Sequence, residues 1–103
     1  MAEKVLNLRI FPGESGRFDL SLLDVGGQAL LVPQFTLFAD TAKGRRPEFF
    51  ASLAPEKANQ LFDQCLEVFE ALLPAKVQRG KFGAHMKVRL ENDGPVTIML
   101  ESA

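Results

Sequence analysis

Between Ala54 and Pro74, apolar residues recur every three or four positions: Ala58, Leu61, Phe62, Cys65, Leu66, Phe69, Leu72 and Leu73. That spacing puts them on one face of a helix, with Lys57, Asn59, Gln60, Asp63, Gln64, Glu67 and Glu70 on the solvated side. Pro55 suits the first turn, Glu56 favours the positive end of the helix dipole and Pro74 closes the run, so one amphipathic helix over residues 55–73 is predicted.

Elsewhere the period is two. After a polar break at Pro12, Gly13, Ser15 and Gly16, the residues Phe18, Leu20 and Leu22 alternate with polar neighbours, which predicts a short strand ahead of a Gly26-Gly27 turn. Ala29 to Phe38 is rich in β-formers and apolar on both parities, the pattern of a strand buried on both faces. Pro33 lacks the N–H that a central ladder needs, so the strand should break or bulge there, leaving Gln34, Phe35 and Thr36 on irregular backbone of the kind found beside active sites. Lys76 to Gln78 fits a short strand. Met86, Val88 and Leu90 alternate against Lys87, Arg89 and Glu91, which predicts a half-buried antiparallel strand over Ala84 to Glu91. Asn92 to Gly94 would turn the chain, and Val96 to Leu100 would return as its partner. Ala2 to Arg9 fits either a helix end or a short strand. The sum is an α+β fold, mostly antiparallel sheet or barrel-like β structure with one main helix, in a single domain spanning 1–103.

Composition narrows the partners. A chain of 103 residues can support one core. With 12 basic and 13 acidic residues the formal net charge is −1, so any nucleic-acid contact must be local. Lys43-Gly44-Arg45-Arg46 is the candidate, readable as a phosphate-binding segment or as a solvated loop. The single cysteine, Cys65, excludes a disulfide within the chain and fits a reducing compartment. Its place on the apolar helix face reads as core packing. No apolar run is long enough for a membrane span and the N-terminus has no signal-peptide core, so a cytoplasmic protein is expected.

Familiar catalytic sets are incomplete. His85 has no second His or Cys at ligand spacing, which argues against zinc and suits a surface position. There is no Walker-type loop, no G-x-G-x-x-G and no G-x-S-x-G elbow. Neither a metal nor another cofactor is expected. What remains is the irregular segment Pro33 to Leu37, whose free backbone N–H groups could meet a developing oxyanion, and Gly94-Pro95, which reads as a hairpin turn or as a rigid element that excludes substrates by shape.

Four segments occur in an order and spacing that resembles the D-aminoacyl-tRNA deacylases. They are Gln34-Phe35-Thr36-Leu37; Ala39-Asp40-Thr41 with Lys43-Gly44-Arg45-Arg46-Pro47; Phe82-Gly83-Ala84 with Met86; and Asn92-Asp93-Gly94-Pro95-Val96-Thr97. Leu6-Asn7-Leu8-Arg9-Ile10-Phe11 also fits, so the resemblance covers essentially the whole chain. It implies hydrolysis of the ester joining a D-amino acid, or glycine, to the terminal adenosine of tRNA, a chiral proofreading step in translation quality control carried out by a homodimer. By that resemblance Gly94-Pro95 would be a cis element that enters the partner's site and rejects L-amino acids. Gln34, Phe35 and Thr36 would form the catalytic signature, and Pro33, Phe82, Gly83, Ala84 and Met86 would belong to the substrate pocket. Lys43, Arg45 and Arg46 would meet RNA, with no membrane or DNA partner.

The resemblance leaves two routes open, one assisted by the substrate's ribose 2′-OH and one with Thr36 as a covalent nucleophile, the first being favoured because no base adjoins Thr36. Pro33 stands where that family usually has Ser, similar to an animal relative that removes L-alanine from tRNA. His85 stands at a usually acidic position. The family's opening strands and a basic residue there have no counterpart before Met1, so an N-terminally truncated domain is expected, with an inactive remnant that only binds RNA or a partner as a further alternative.

Overall fold

The computed structural model describes residues 1–102, which fall into two compact units: Met1–Gln28 with the stretch from His85 onward, and Ala29–Ala84. In the first, Ala2–Asn7 forms helix α1, resolving the ambiguity of the N-terminal segment, and Leu6 on it is buried to 1% exposure. Strands β1 (Phe11–Pro12) and β2 (Phe18–Leu20) pair antiparallel, with Phe11 opposite Leu20 and Pro12 opposite Phe18. The hairpin is closed by the Gly13 N–H donating to Arg17 O at 2.9 Å, and Gly16 takes φ 80° in its turn.

The predicted strand stops at Leu20, not Leu22, because Ser21 caps helix α2 (Leu22–Val25). The Asp24 N–H donates to Ser21 Oγ at 3.1 Å, and the Ser21 N–H donates to Asp24 Oδ2 at 2.9 Å, a reciprocal capping box. Gly26 ends the helix in the left-handed region at φ 64°. The Ser21 backbone N–H, and after it the Ser21 hydroxyl, hold the Asp24 carboxyl below its ordinary value of 3.8, with a smaller pull from Arg9; desolvation opposes them. Because the folded value is the lowered one, the carboxylate stabilises the fold above pH 3.8 and loses its effect as pH falls through the folded value. Ser21→Ala, which removes the hydroxyl half of the capping box, should lower the melting temperature near neutral pH, and thermal melts should show the gap to the parent narrowing under acid.

The expected pair of strands over Ala84–Glu91 and Val96–Leu100 is not formed. The alternation of Met86, Val88 and Leu90 suits an extended backbone, but a ladder also needs a partner. Among the described residues the backbone from His85 onward makes no backbone hydrogen bond, and Val88, Leu90, Ile98 and Met99 are exposed. Asp93 and Gly94 form a bend, and the Gly94-Pro95 peptide is cis.

In the second unit, β3 (Ala29–Leu31) and β4 (Val77–Arg79) pair in parallel, with Ala29 opposite Val77 and Leu31 opposite Arg79. A parallel pair needs a long crossover, supplied here by the segment that carries helix α3 (Pro55–Leu72). As Pro33 demands, the strand ends at Leu31, and a 3-10 helix follows over Phe35–Phe38. The expected burial on both faces fails: Leu30 is 63% exposed, because a two-stranded ribbon leaves the face bearing Leu30 uncovered among the described residues. Pro55 occupies the first turn of α3 as predicted, and Leu66 and Phe69, with Leu73 just past its end, are buried. Cys65 corrects its expected core role: it is exposed, since the apolar stripe is wider than its buried part and Leu61, Phe62 and Cys65 face a cavity instead. Among the described residues the fold is the mixed α and β architecture with one main helix that the pattern predicts, with one small antiparallel and one small parallel sheet.

Candidate functional site

Where β3 and β4 separate, the segments that follow both strands contribute to one apolar region. Gly80 N donates to Leu31 O at 2.7 Å, the last bond of the ladder. A Cβ on Gly80 would lie 3.4 Å from Val32 Cγ1 and 3.5 Å from Pro33 Cδ, so Pro33 is held against the β4 exit. From there one strand continues into Gln34 and Phe35, the other into Phe82 and Gly83.

These residues line two adjoining cavities. One, of about 310 Å³, is walled by Gln34, Phe35, Phe38, Phe82 and the α3 residues Ala58, Leu61, Phe62 and Cys65. The other, of about 370 Å³, is walled by Phe35, Phe49, Phe82, Gly83 and the approach to α3. Phe35, Ser52, Leu53 and Phe82 belong to both. Phe35 meets Phe49 edge to face, with centroids 5.0 Å apart and planes at 65°, a geometry in which a ring edge meets the neighbouring π face. An apolar, aromatic hollow with few polar groups suits a flat ring and fixes it by shape.

The polar groups stand at its edge. Gln34 Nε2 donates to Thr36 Oγ1, so one lone pair of the hydroxyl is occupied by an amide and not by a base. The backbone N–H groups of Phe35 and Thr36 open the 3-10 helix and have no acceptor among the described residues, as expected at a helix start. No group of three or more His, Cys, Asp or Glu side chains among the described residues is arranged to hold a metal ion.

A third, open pocket of about 690 Å³ is lined by Lys43, Gly44, Arg45, Arg46 and Glu48. Its loop is pinned at the base by paired backbone bonds, Asp40 N to Glu48 O at 2.7 Å and Glu48 N to Asp40 O at 2.9 Å. Asp40 Oδ1 also accepts from Ala42 N at 2.9 Å, shaping the entry to the loop.

The second unit thus gathers Gln34, Phe35, Phe82 and Gly83 around the cavities, with Thr36 bonded to Gln34 and Pro33 packed behind. Ala84 closes a turn through its N–H to Lys81 O at 3.2 Å. Met86 and Gly94-Pro95 belong to the first unit. There Gly94 has φ 131°, and a Cβ on it would lie 3.1 Å from Val96 N. His85 is exposed. Sequence pattern missed Phe49, Ser52, Leu53 and Phe62 as lining residues. Phe62 is hidden in the helix stripe, and the others lie in a segment without periodicity.

The profile of the D-Tyr-tRNA(Tyr) deacylase family matches residues 1–101. A D-aminoacyl-tRNA deacylase of Thermosipho melanesiensis is 50% identical over 102 residues, covering 99% of this chain and 68% of that protein. That of Teredinibacter turnerae is 56% identical over 102 residues, 99% of this chain and 70% of its own length. That of Thermomicrobium roseum is 55% identical over 103 residues, 100% of this chain and 66% of its own length. Among solved structures, the c-Myc DNA Unwinding Element Binding Protein superposes with a TM-score of 0.89 at 42% identity, covering all of this chain and 70% of that one. With a family profile spanning nearly every residue and relatives near half identical throughout, the chain belongs to the D-aminoacyl-tRNA deacylase family of hydrolases.

Proposed function

We propose that this protein hydrolyses the ester of D-aminoacyl-tRNA, and of glycine mischarged on tRNA, as a chiral proofreader in the cytoplasm. The observation that carries the reading is the hollow around Phe35 and Phe82, with unpaired backbone donors at its rim, in a chain of this family. Phe35, Phe49 and Phe82 offer the terminal adenine an aromatic enclosure, since every base has a π face to stack. Water adds to the ester carbonyl, and the resulting oxyanion accepts from the N–H groups of Phe35 and Thr36. Collapse expels the ribose 3′ oxygen, which takes up the proton that the attacking water gives up, with the vicinal 2′-OH orienting that water. An activated ester needs little more than this positioning.

Thr36 acts here by position. Its hydroxyl accepts from Gln34, and no carboxylate or imidazole bonds it among the described residues. Thr36→Ala should keep the single-turnover rate within about tenfold of the parent, whereas loss of a covalent nucleophile would cost about a thousandfold or more.

Gly94-Pro95 is the proposed chiral gate, entering the site of a second copy and excluding L side chains by overlap, which discriminates more sharply than a difference in attraction. Exposed Phe18, Phe38, Phe50 and Met99 supply apolar area for such a homodimer. Lys43, Arg45 and Arg46, clustered on one pinned loop, are the proposed contacts to tRNA phosphates. No helix among the described residues is long and apolar enough to cross a membrane.

Pro33 favours a second reading, release of L-alanine from tRNA, because it brings neither a hydroxyl nor an N–H to the pocket edge. Rates on D-alanyl-, L-alanyl- and glycyl-tRNA separate the two: preference for the D and glycyl esters supports the first, preference for L-alanyl the second.

A further inference from the structure

Three walls meet at the cavities, the β3 exit, the β4 exit and α3, and one side chain outside the lining ties the last two together. Arg79, the final residue of β4, donates from Nη2 to Asp63 Oδ1 at 3.2 Å and places its guanidinium carbon 5.3 Å from the centroid of the Phe62 ring. Asp63 and Phe62 are consecutive on α3, and Phe62 is a wall of the cavity shared with Gln34, Phe35 and Phe82. The next residue, Gly80, makes the closing ladder bond to Leu31 and packs on Val32 and Pro33. Phe82 follows two residues later.

We infer that Arg79 is a positioning residue for this pocket: by stacking on Phe62 and pairing with Asp63 at once, it fixes the distance between α3 and the strand exits that carry Phe35 and Phe82. The inference rests on the function proposed above. Arginine suits the task because its planar, forked guanidinium can lie on a ring and donate sideways to a carboxylate, whereas the lysine ammonium is a point charge that cannot do both in one geometry. Asp63 and Arg79 are each about half exposed, so the ion pair alone holds little, and the stack supplies the orientation. Acting through Phe62, Arg79 should affect how well the site is formed for binding more than the chemical step.

The test compares the intact protein with Arg79→Met, which keeps the aliphatic stem, Arg79→Lys and Asp63→Asn, at a temperature where all are folded. Arg79→Met is expected to raise KM for D-Tyr-tRNA about fivefold with kcat within about twofold, with Arg79→Lys close to it and Asp63→Asn milder. In parallel, aromatic NMR spectra of Arg79→Met should show shifted ring resonances of Phe35 and Phe82 as well as Phe62. A lowered melting temperature with unchanged KM, and shifts confined to Phe62, would overturn the inference and leave Arg79 a simple fastener. If the parent protein hydrolyses no aminoacyl-tRNA, the proposed function fails, and the ring resonances of Phe35 and Phe82 alone decide the role of Arg79. If Arg79→Met does not fold, Arg79→Lys carries the same two readouts.

Discussion

Gly94→Ala is expected to lower kcat/KM on D-Tyr-tRNA by about a hundredfold and to narrow the preference for D over L esters by at least about tenfold. Gly94 sits at φ 131°, where L side chains are rarely found, and an added Cβ would press to 3.1 Å from Val96 N and 3.3 Å from Val96 Cγ2. Both neighbours belong to the same short segment and one is backbone, so the strain is relieved by rotating the segment itself, and Pro95 moves with it. If that segment is the gate, its displacement admits L side chains while spoiling the fit of D ones. Gly16→Ala is the control. Gly16 also has positive φ, at 80°, but nothing lies within 4 Å of its Cβ position, so it carries a conformational penalty without a clash. Initial rates on D-Tyr-tRNA and L-Tyr-tRNA for the two variants should differ in chirality ratio, not only in stability; an unchanged ratio in Gly94→Ala removes the gate.

Phe35→Ala should raise KM for aminoacyl-tRNA by about tenfold to a hundredfold, in line with the loss of one base stacked on an aromatic ring. Phe35 is one of the residues shared by the two cavities and the ring that meets Phe49. Removing it takes a wall from both hollows and leaves Phe49 without its ring partner. Its cost to the fold should be much smaller, because Phe35 is 46% exposed and little apolar area is returned to water. The pattern to look for is a large change in KM beside a melting temperature that moves by a few degrees, with Phe35→Leu recovering packing but not stacking. A KM unaffected by Phe35→Ala would mean that the base binds elsewhere.

The sequence made the long helix legible because eight apolar residues keep one period and Pro55 and Pro74 bracket them. The break at Pro33 was legible for a chemical reason, the missing N–H, and it locates Gln34, Phe35 and Thr36 on the irregular backbone where the structure has a 3-10 helix. Cys65 was misplaced because periodicity reports which residues share a face, not how much of that face meets a neighbour. The strands expected at Met86 to Leu90 and Val96 to Leu100 fail on the same point: alternation specifies an extended chain, while a ladder depends on a partner that local pattern does not identify. The cavity walls at Phe49, Ser52 and Leu53 carry no period and no motif. Only the folding of the crossover brings them to Phe35.

The measurement that bears most directly on the central claim is the rate of amino-acid release from one tRNA charged with D-tyrosine and with L-tyrosine, using the unaltered protein. Rapid release of D-tyrosine with L-Tyr-tRNA left at its spontaneous hydrolysis rate is the predicted result. Equal rates on both esters, or none above background from the folded protein, would contradict it.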